Sequence, residues 1–154
     1  METFLNKNFR KIDYYISKSV KETNEYAYNF ATTLKQGNIV GVIGELGTGK
    51  THFIKGAAKA FGIEKNLVIS PTFNLIKEYN GKVILYHFDF YRLKNIKELY
   101  DIGFRHYFEN EKSVIFIEWA DKIKEIYGNY SHIIKMENVG KQKRKITVYA
   151  NKIK

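Results

Sequence analysis

The chain has 154 residues, of which 44% are hydrophobic and 27% charged, so it is one domain's worth of ordinary globular sequence and not a disordered or fibrous chain. It has no cysteine, which excludes a disulfide framework, cysteine-ligated zinc, an iron–sulfur cluster and a thiol nucleophile. The formal net charge of +10 rests on 26 basic residues, only four of them arginine, and reads equally as a basic face for a polyanion or as lysine-rich compositional drift.

Residues 1–12 are expected as a loosely ordered N-terminal extension. Alternation over Asp13–Ser17 predicts a short strand. Within Glu22–Lys35, the residues Tyr26, Ala27, Phe30, Ala31 and Leu34 fall at helical spacing, with Ser19 or Thr23 as the cap and Gly37 at the stop. Asn38–Ile43 is apolar and rich in β-branched residues, as a fully buried strand is. The glycine-rich stretch Gly44–Thr51 follows, then a helix over His52–Phe61 stopped by Gly62. Leu67–Ile69 reads as a second short strand, ended by Ser70 and the sole proline, Pro71. Phe73–Tyr79 and Val83–Phe88 flank Asn80-Gly81, a strong hairpin signal. Asn95–Phe108 reads as an amphipathic helix interrupted near Gly103, and Ser113–Ile117 as another buried strand. Asp121–Tyr127 supplies two helical turns. His132–Met136 and Ile146–Ala150 are strands joined by a basic turn through Gly140.

Strands alternating with helices, without repeats or a linker, predict a single α/β domain over residues 1–154. Its central sheet, flanked by helices, is mixed because two hairpins are expected. No apolar run approaches the ~18 residues of a transmembrane helix. The N-terminal residues lack the apolar core of a signal peptide, so a cytoplasmic location is expected.

Gly44-Glu45-Leu46-Gly47-Thr48-Gly49-Lys50-Thr51 matches the phosphate-loop pattern G-x-x-x-x-G-K-[ST] in full. Glycines let the backbone wrap a phosphate with its N–H groups inward, and the following helix N-terminus adds partial positive charge. Lys50 has the reach for β- and γ-phosphates, and the Thr51 hydroxyl suits Mg²⁺. At ordinary residue frequencies such a match arises by chance in about 1% of chains this long. Its place between a buried strand and a helix is the one the mechanism needs.

Hydrolysis also needs an acid at the end of a neighbouring strand. Asp89 ends Val83–Asp89 and Glu118 ends Val114–Glu118. The run before Glu118 is the more continuously apolar, so Glu118 is favoured as the central carboxylate and Asp89 is placed nearer an edge. Ser70-Pro71-Thr72-Phe73 is a hydroxyl-bearing loop that suits either a plain turn or a γ-phosphate sensor. None of His52, His87, His106 and His132 is paired at metal-ligand spacing. His87 shares a strand face with Asp89, two residues on, where it can support the acid.

These motifs together, with His87-Phe88-Asp89-Phe90-Tyr91-Arg92-Leu93 and Ile117-Glu118-Trp119, resemble the TsaE (YjeE) family from about Asp13 to Ala150. Members of that family are small bacterial P-loop ATPases of tRNA threonylcarbamoyladenosine (t6A) biosynthesis. The resemblance implies ATP and Mg²⁺ as cofactors and slow hydrolysis by the isolated chain. It also implies the partners TsaB and TsaD, which modify the adenosine beside the anticodon of tRNAs reading ANN codons, so that tRNA is met through the complex. On this pattern Lys50, Asp89 and Glu118 are catalytic, and Thr51 and Glu118 hold the metal. Gly44–Thr51, Ser70, Thr72, Trp119 and, in the last hairpin, Arg144 bind nucleotide. The chain departs from the family's commoner residues at Glu45, Thr48 and His52, none of which removes a phosphate-loop requirement. A Mg²⁺-dependent ATPase serving tRNA modification is therefore the expected function. A nucleotide-gated adaptor with little useful turnover is the alternative. A small-molecule kinase is disfavoured, because Arg10, Arg92, Arg105 and Arg144 form no lid cluster.

Overall fold

A computed structural model describes residues 2–154. The seven-stranded sheet grows outward from the two most apolar segments. β2 (Ile39–Ile43) and β5 (Ser113–Glu118) are buried at every position and lie side by side in parallel. β6 (His132–Gly140) adds in parallel on the other side of β2, and β4 (Ile84–Asp89) in parallel on the other side of β5. Antiparallel strands close both flanks. β3 (Ile76–Asn80) pairs with β4, and β7 (Lys143–Asn151) with β6. β1 (Phe9–Ser17) then pairs with β7, giving the order β1-β7-β6-β2-β5-β4-β3. The result is the single α/β domain with a mixed sheet that the sequence predicts.

Helices cover both faces. α2 (Val20–Thr32), capped by the Ser19 side chain, and α3 (Lys50–Lys59) pack on one face over Val40, Val42, Phe116 and Ile134. Gly56 lets these two helices touch, because a Cβ there would meet the Asn24 backbone at 2.6 Å. α1 (Glu2–Asn8), α4 (Ile96–Asp101) and α5 (Phe104–Phe108) cover the other face over Phe88, Ile115 and Ile117. Gly103, in a left-handed conformation, breaks α4 from α5 as expected.

Three expectations change. Residues 2–12 are not a loose extension. They form α1 and the start of β1, with Leu5 and Phe9 fully buried and the α1 carbonyls of Asn6 and Lys7 accepting from Lys152 Nζ at 2.8 and 3.0 Å. Leu67–Ile69 is not a strand but a 3₁₀ turn (Lys65–Leu67) running into an irregular loop. Val68 alone is buried there, while Leu67 and Ile69 are 60% and 50% exposed, so the segment has one apolar anchor and no alternating face. Asp121–Tyr127 is two 3₁₀ segments, Ala120–Lys122 and Lys124–Asn129.

Truncating Leu5 to alanine removes a core side chain, so Leu5→Ala is expected to destabilise the domain by about 2–5 kcal/mol. Urea denaturation checks this, and an unchanged midpoint would mean that α1 is dispensable.

Candidate functional site

The chain leaves β2 at Ile43 and turns back into α3 through Gly44–Gly49, at the carboxyl ends of the parallel strands, where α/β sheets place their ligands. Gly44 has φ +154°, and a Cβ on it would meet the Met136 carbonyl oxygen at 2.5 Å and Thr48 Oγ1 at 2.7 Å. The turn is thus wedged against β6 and admits no side chain at that position. Gly49, at φ +94°, opens directly into the first turn of α3. Lys50 folds back over the loop, its Nζ donating to the Gly44 and Glu45 carbonyls at 2.7 and 2.9 Å and lying 4.0 Å from the Trp119 ring centre. Burial pulls the Lys50 ammonium below its ordinary value, against the opposing pull of Glu118, Asp121, Asp89 and Glu45.

β5 sits between β2 and β4, so Glu118 is in register with Val42 on one side and Asp89 on the other. This is the strand ordering expected from the apolar run before Glu118. Glu118 Oε1 accepts the Thr51 hydroxyl at 2.6 Å. Glu118 Oε2 bonds to His87 Nε2 at 2.8 Å and accepts the Ser70 hydroxyl at 3.3 Å. Burial alone pushes the Glu118 carboxyl up. Hydrogen bonds from His87, Thr51 and Ser70 oppose it, and the group is held below its ordinary value. Asp89 Oδ2 accepts from Ser70 Oγ and Thr72 Oγ1 at 2.7 and 2.8 Å, and its Oδ1 accepts from the Tyr91 backbone N–H at 2.8 Å. Ser70 Oγ, with one proton to share, therefore lies between the two carboxylates and nearer Asp89.

A cavity of about 700 Å³ opens over these groups. Leu46–Thr51, Ser70, Thr72, Asp89, Glu118, Trp119 and Arg144 all border it. Gly44 and Glu45 lie behind, holding Lys50 through their carbonyls. Arg144, on β7, reaches the loop from the far side, with Nη2 donating to the Gly47 carbonyl at 3.3 Å. Every site residue predicted from the sequence thus falls in one place. Sequence reading missed Ser19, Val20 and Thr23 at the start of α2, and Gln142 in the last hairpin, which also line the cavity. The cap signature at Ser19 marks a helix start but carries no information on what that start faces. His87 supports Glu118 across the strands, not its neighbour Asp89.

The donor set fits a nucleotide with Mg²⁺. A cation, hydroxyls and carboxylates converge beside a glycine turn that admits no side chain at Gly44. Among the described residues, no group of three or more His, Cys, Asp or Glu side chains forms a metal cage.

The fold and this loop define a P-loop NTPase-like protein. Residues 17–146 match the family model described as "Threonylcarbamoyl adenosine biosynthesis protein TsaE". The chain is 40% identical over 131 residues to the tRNA threonylcarbamoyladenosine biosynthesis protein TsaE of Bacillus subtilis, covering 84% of this chain and 80% of that one. It is 33% identical over 133 residues to the Treponema pallidum TsaE, covering 86% and 97%. The crystal structure of Bacillus subtilis YdiB superposes with a TM-score of 0.72 at 31% identity, covering 93% of this chain and 87% of that one. The chain therefore belongs to the TsaE family and to the biosynthesis of tRNA threonylcarbamoyladenosine. No helix among the described residues is long and apolar enough to cross a membrane.

Gly44→Ala places a methyl group against the Met136 carbonyl. It is expected to destabilise the protein by about 1–3 kcal/mol, measured by thermal denaturation without ligand.

Proposed function

We propose that this chain binds ATP with Mg²⁺ and hydrolyses it slowly alone, and that its ATPase serves repeated t6A formation on tRNA by TsaB and TsaD partners. The observation that carries this reading is the 2.6 Å contact between Thr51, in the first turn of α3, and Glu118, at the end of the adjacent strand. It brings a metal-seeking hydroxyl and a carboxylate together beside Lys50. In this reading the Lys50 ammonium leaves its loop carbonyls for the β- and γ-phosphates, and loop N–H groups bind phosphate oxygens. Thr51 and Glu118 hold Mg²⁺, which supplies charge neutralisation on the phosphates when bound. Glu118 would orient the attacking water. Asp89, tied to Ser70 and Thr72, supports the phosphate side. Trp119 and Arg144 flank the nucleotide.

The adaptor reading has one observation in its favour. Phe73 is 81% exposed on the same loop whose Ser70 and Thr72 hydroxyls bond Asp89. That arrangement suits a loop that reports nucleotide state to a partner. ATPase assays with and without a TsaB–TsaD pair separate the two. Stimulated turnover supports the enzyme, whereas ATP-dependent docking at unchanged, negligible turnover supports the adaptor.

Within the site, Lys50→Ala removes a charge-assisted contact and is expected to weaken Mg²⁺–ATP binding by about 2–3 kcal/mol in calorimetry. Glu118→Gln keeps size but loses charge and basicity. It is expected to cut single-turnover hydrolysis by about 10²-fold or more while leaving ATP bound. Asp89→Asn is expected to cost less. The reverse ranking of the two acids would exchange their roles.

A further inference from the structure

Glu118 has partners of two kinds. Thr51 and Ser70, which reach it through their hydroxyls, both border the cavity, and each belongs to a segment that the proposed function draws toward nucleotide and metal. His87 does not. Its side chain is fully buried within β4, in register with Phe116 on β5 and Lys77 on β3. Nε2 lies 2.8 Å from Glu118 Oε2. The other ring nitrogen, Nδ1, is buried without a hydrogen-bond partner. A ring with its proton on Nε2 satisfies this arrangement, because it donates to the carboxylate and leaves only a bare lone pair at Nδ1. The opposite tautomer would bury an unpaired N–H and set a lone pair against the carboxylate.

The geometry points to His87 as a positioning residue for Glu118, fixing Oε2 so that Oε1 stays on the side of Thr51 while Thr51 and Ser70 change partners. This rests on the catalytic and metal role proposed for Glu118. Once the two hydroxyls turn to ligands, His87 is the one Glu118 partner that the cavity cannot recruit. A buried carboxylate with a single fixed donor on one oxygen presents the other in a defined direction.

His87→Leu fills similar space without a donor. It is expected to lower Mg²⁺-dependent turnover by about 10–100-fold and to weaken Mg²⁺ binding to the ADP-bound protein, with ADP affinity in EDTA within about twofold. His87→Gln, which carries an amide N–H near the Nε2 position, is expected to recover most of both. In a Glu118→Gln background, His87→Leu is expected to add little. NMR of the imidazole nitrogens in the ligand-free protein is expected to show a proton on Nε2. Three results would each overturn the inference: a bare Nε2, equal losses in His87→Leu and His87→Gln, or a full additional loss in the double variant. If His87→Leu does not fold, His87→Asn replaces it, since its amide reaches only the Nδ1 position. Near-wild-type behaviour of His87→Gln with impaired His87→Asn supports the role, and equal behaviour rejects it. If Glu118→Gln itself keeps turnover and Mg²⁺ binding, the proposed function falls first. If Glu118→Gln is impaired and His87→Leu is not, only the positioning role fails.

Discussion

An ionised carboxylate taken out of water is costly unless charges and hydrogen bonds replace its hydration. Glu118 is 3% exposed, at the end of a strand buried along its whole length, so the surrounding structure has to answer that demand. It does so from three separate elements: α3 through Thr51, β4 through His87 and the loop before β3 through Ser70. The helix start, the flanking parallel strand and the irregular loop are thus tied to one side chain. The second carboxylate, Asp89, hangs on the same network through Ser70. Displacing Glu118 would take a hydrogen-bond partner from each of the three elements, so one buried side chain links the fold to the site.

What was legible in the sequence follows from how local each determinant is. β2, the glycine turn and α3 are encoded by neighbours in the chain: an apolar run, glycines at fixed offsets and a helix start. β5 is legible for the same reason, and its greater apolarity than the run before Asp89 was enough to place it next to β2. The Asn80-Gly81 hairpin forms, although the register Asn80↔Ile84 leaves residues 81–83 as the turn, whose Lys82 N–H docks on the Phe61 carbonyl at 2.7 Å. The misreadings at the N-terminus and at His87 concern distant partners. α1 is ordered by Tyr127, whose ring lies 4.6 Å from that of Phe4, and by Lys152 near the other end of the chain. Neither is visible in residues 1–12. Likewise, strand alternation places His87 on the face of Asp89, but only the insertion of β5 shows that Glu118 lies within its reach.

The basic residues of the last hairpin do not all face the site. In the run Lys141-Gln142-Lys143-Arg144-Lys145, Gln142 and Arg144 border the cavity, and Arg144 bonds the glycine turn. Lys145 projects from the other face of β7, with Nζ 5.8 Å from the Tyr14 ring centre on β1, while Lys141 and Lys143 are exposed. A five-residue run that looks uniform in sequence therefore brings one cation to the site and leaves the others elsewhere. An arginine in that place is physically apt, since its planar fork reaches a backbone carbonyl and keeps further donors free.

Trp119 breaks a local rule at the same place. Its φ is +56°, a left-handed conformation that costs a residue with a Cβ about 1–2 kcal/mol. That turn comes directly after Glu118, where the chain leaves the central strand. It brings the indole over the Lys50 ammonium and within 5.0 Å of the Tyr91 ring. Lys50 is therefore held without ligand by two carbonyls of its own loop and by an aromatic face, so the glycine turn keeps its shape before any phosphate arrives. Under the proposed function, a phosphate that draws Lys50 away would exchange existing contacts for stronger charge-assisted ones, without having to order the loop at that moment. Backbone strain persists only where its surroundings over-determine it, and here those surroundings are the carboxylate before Trp119 and the lysine beneath its ring.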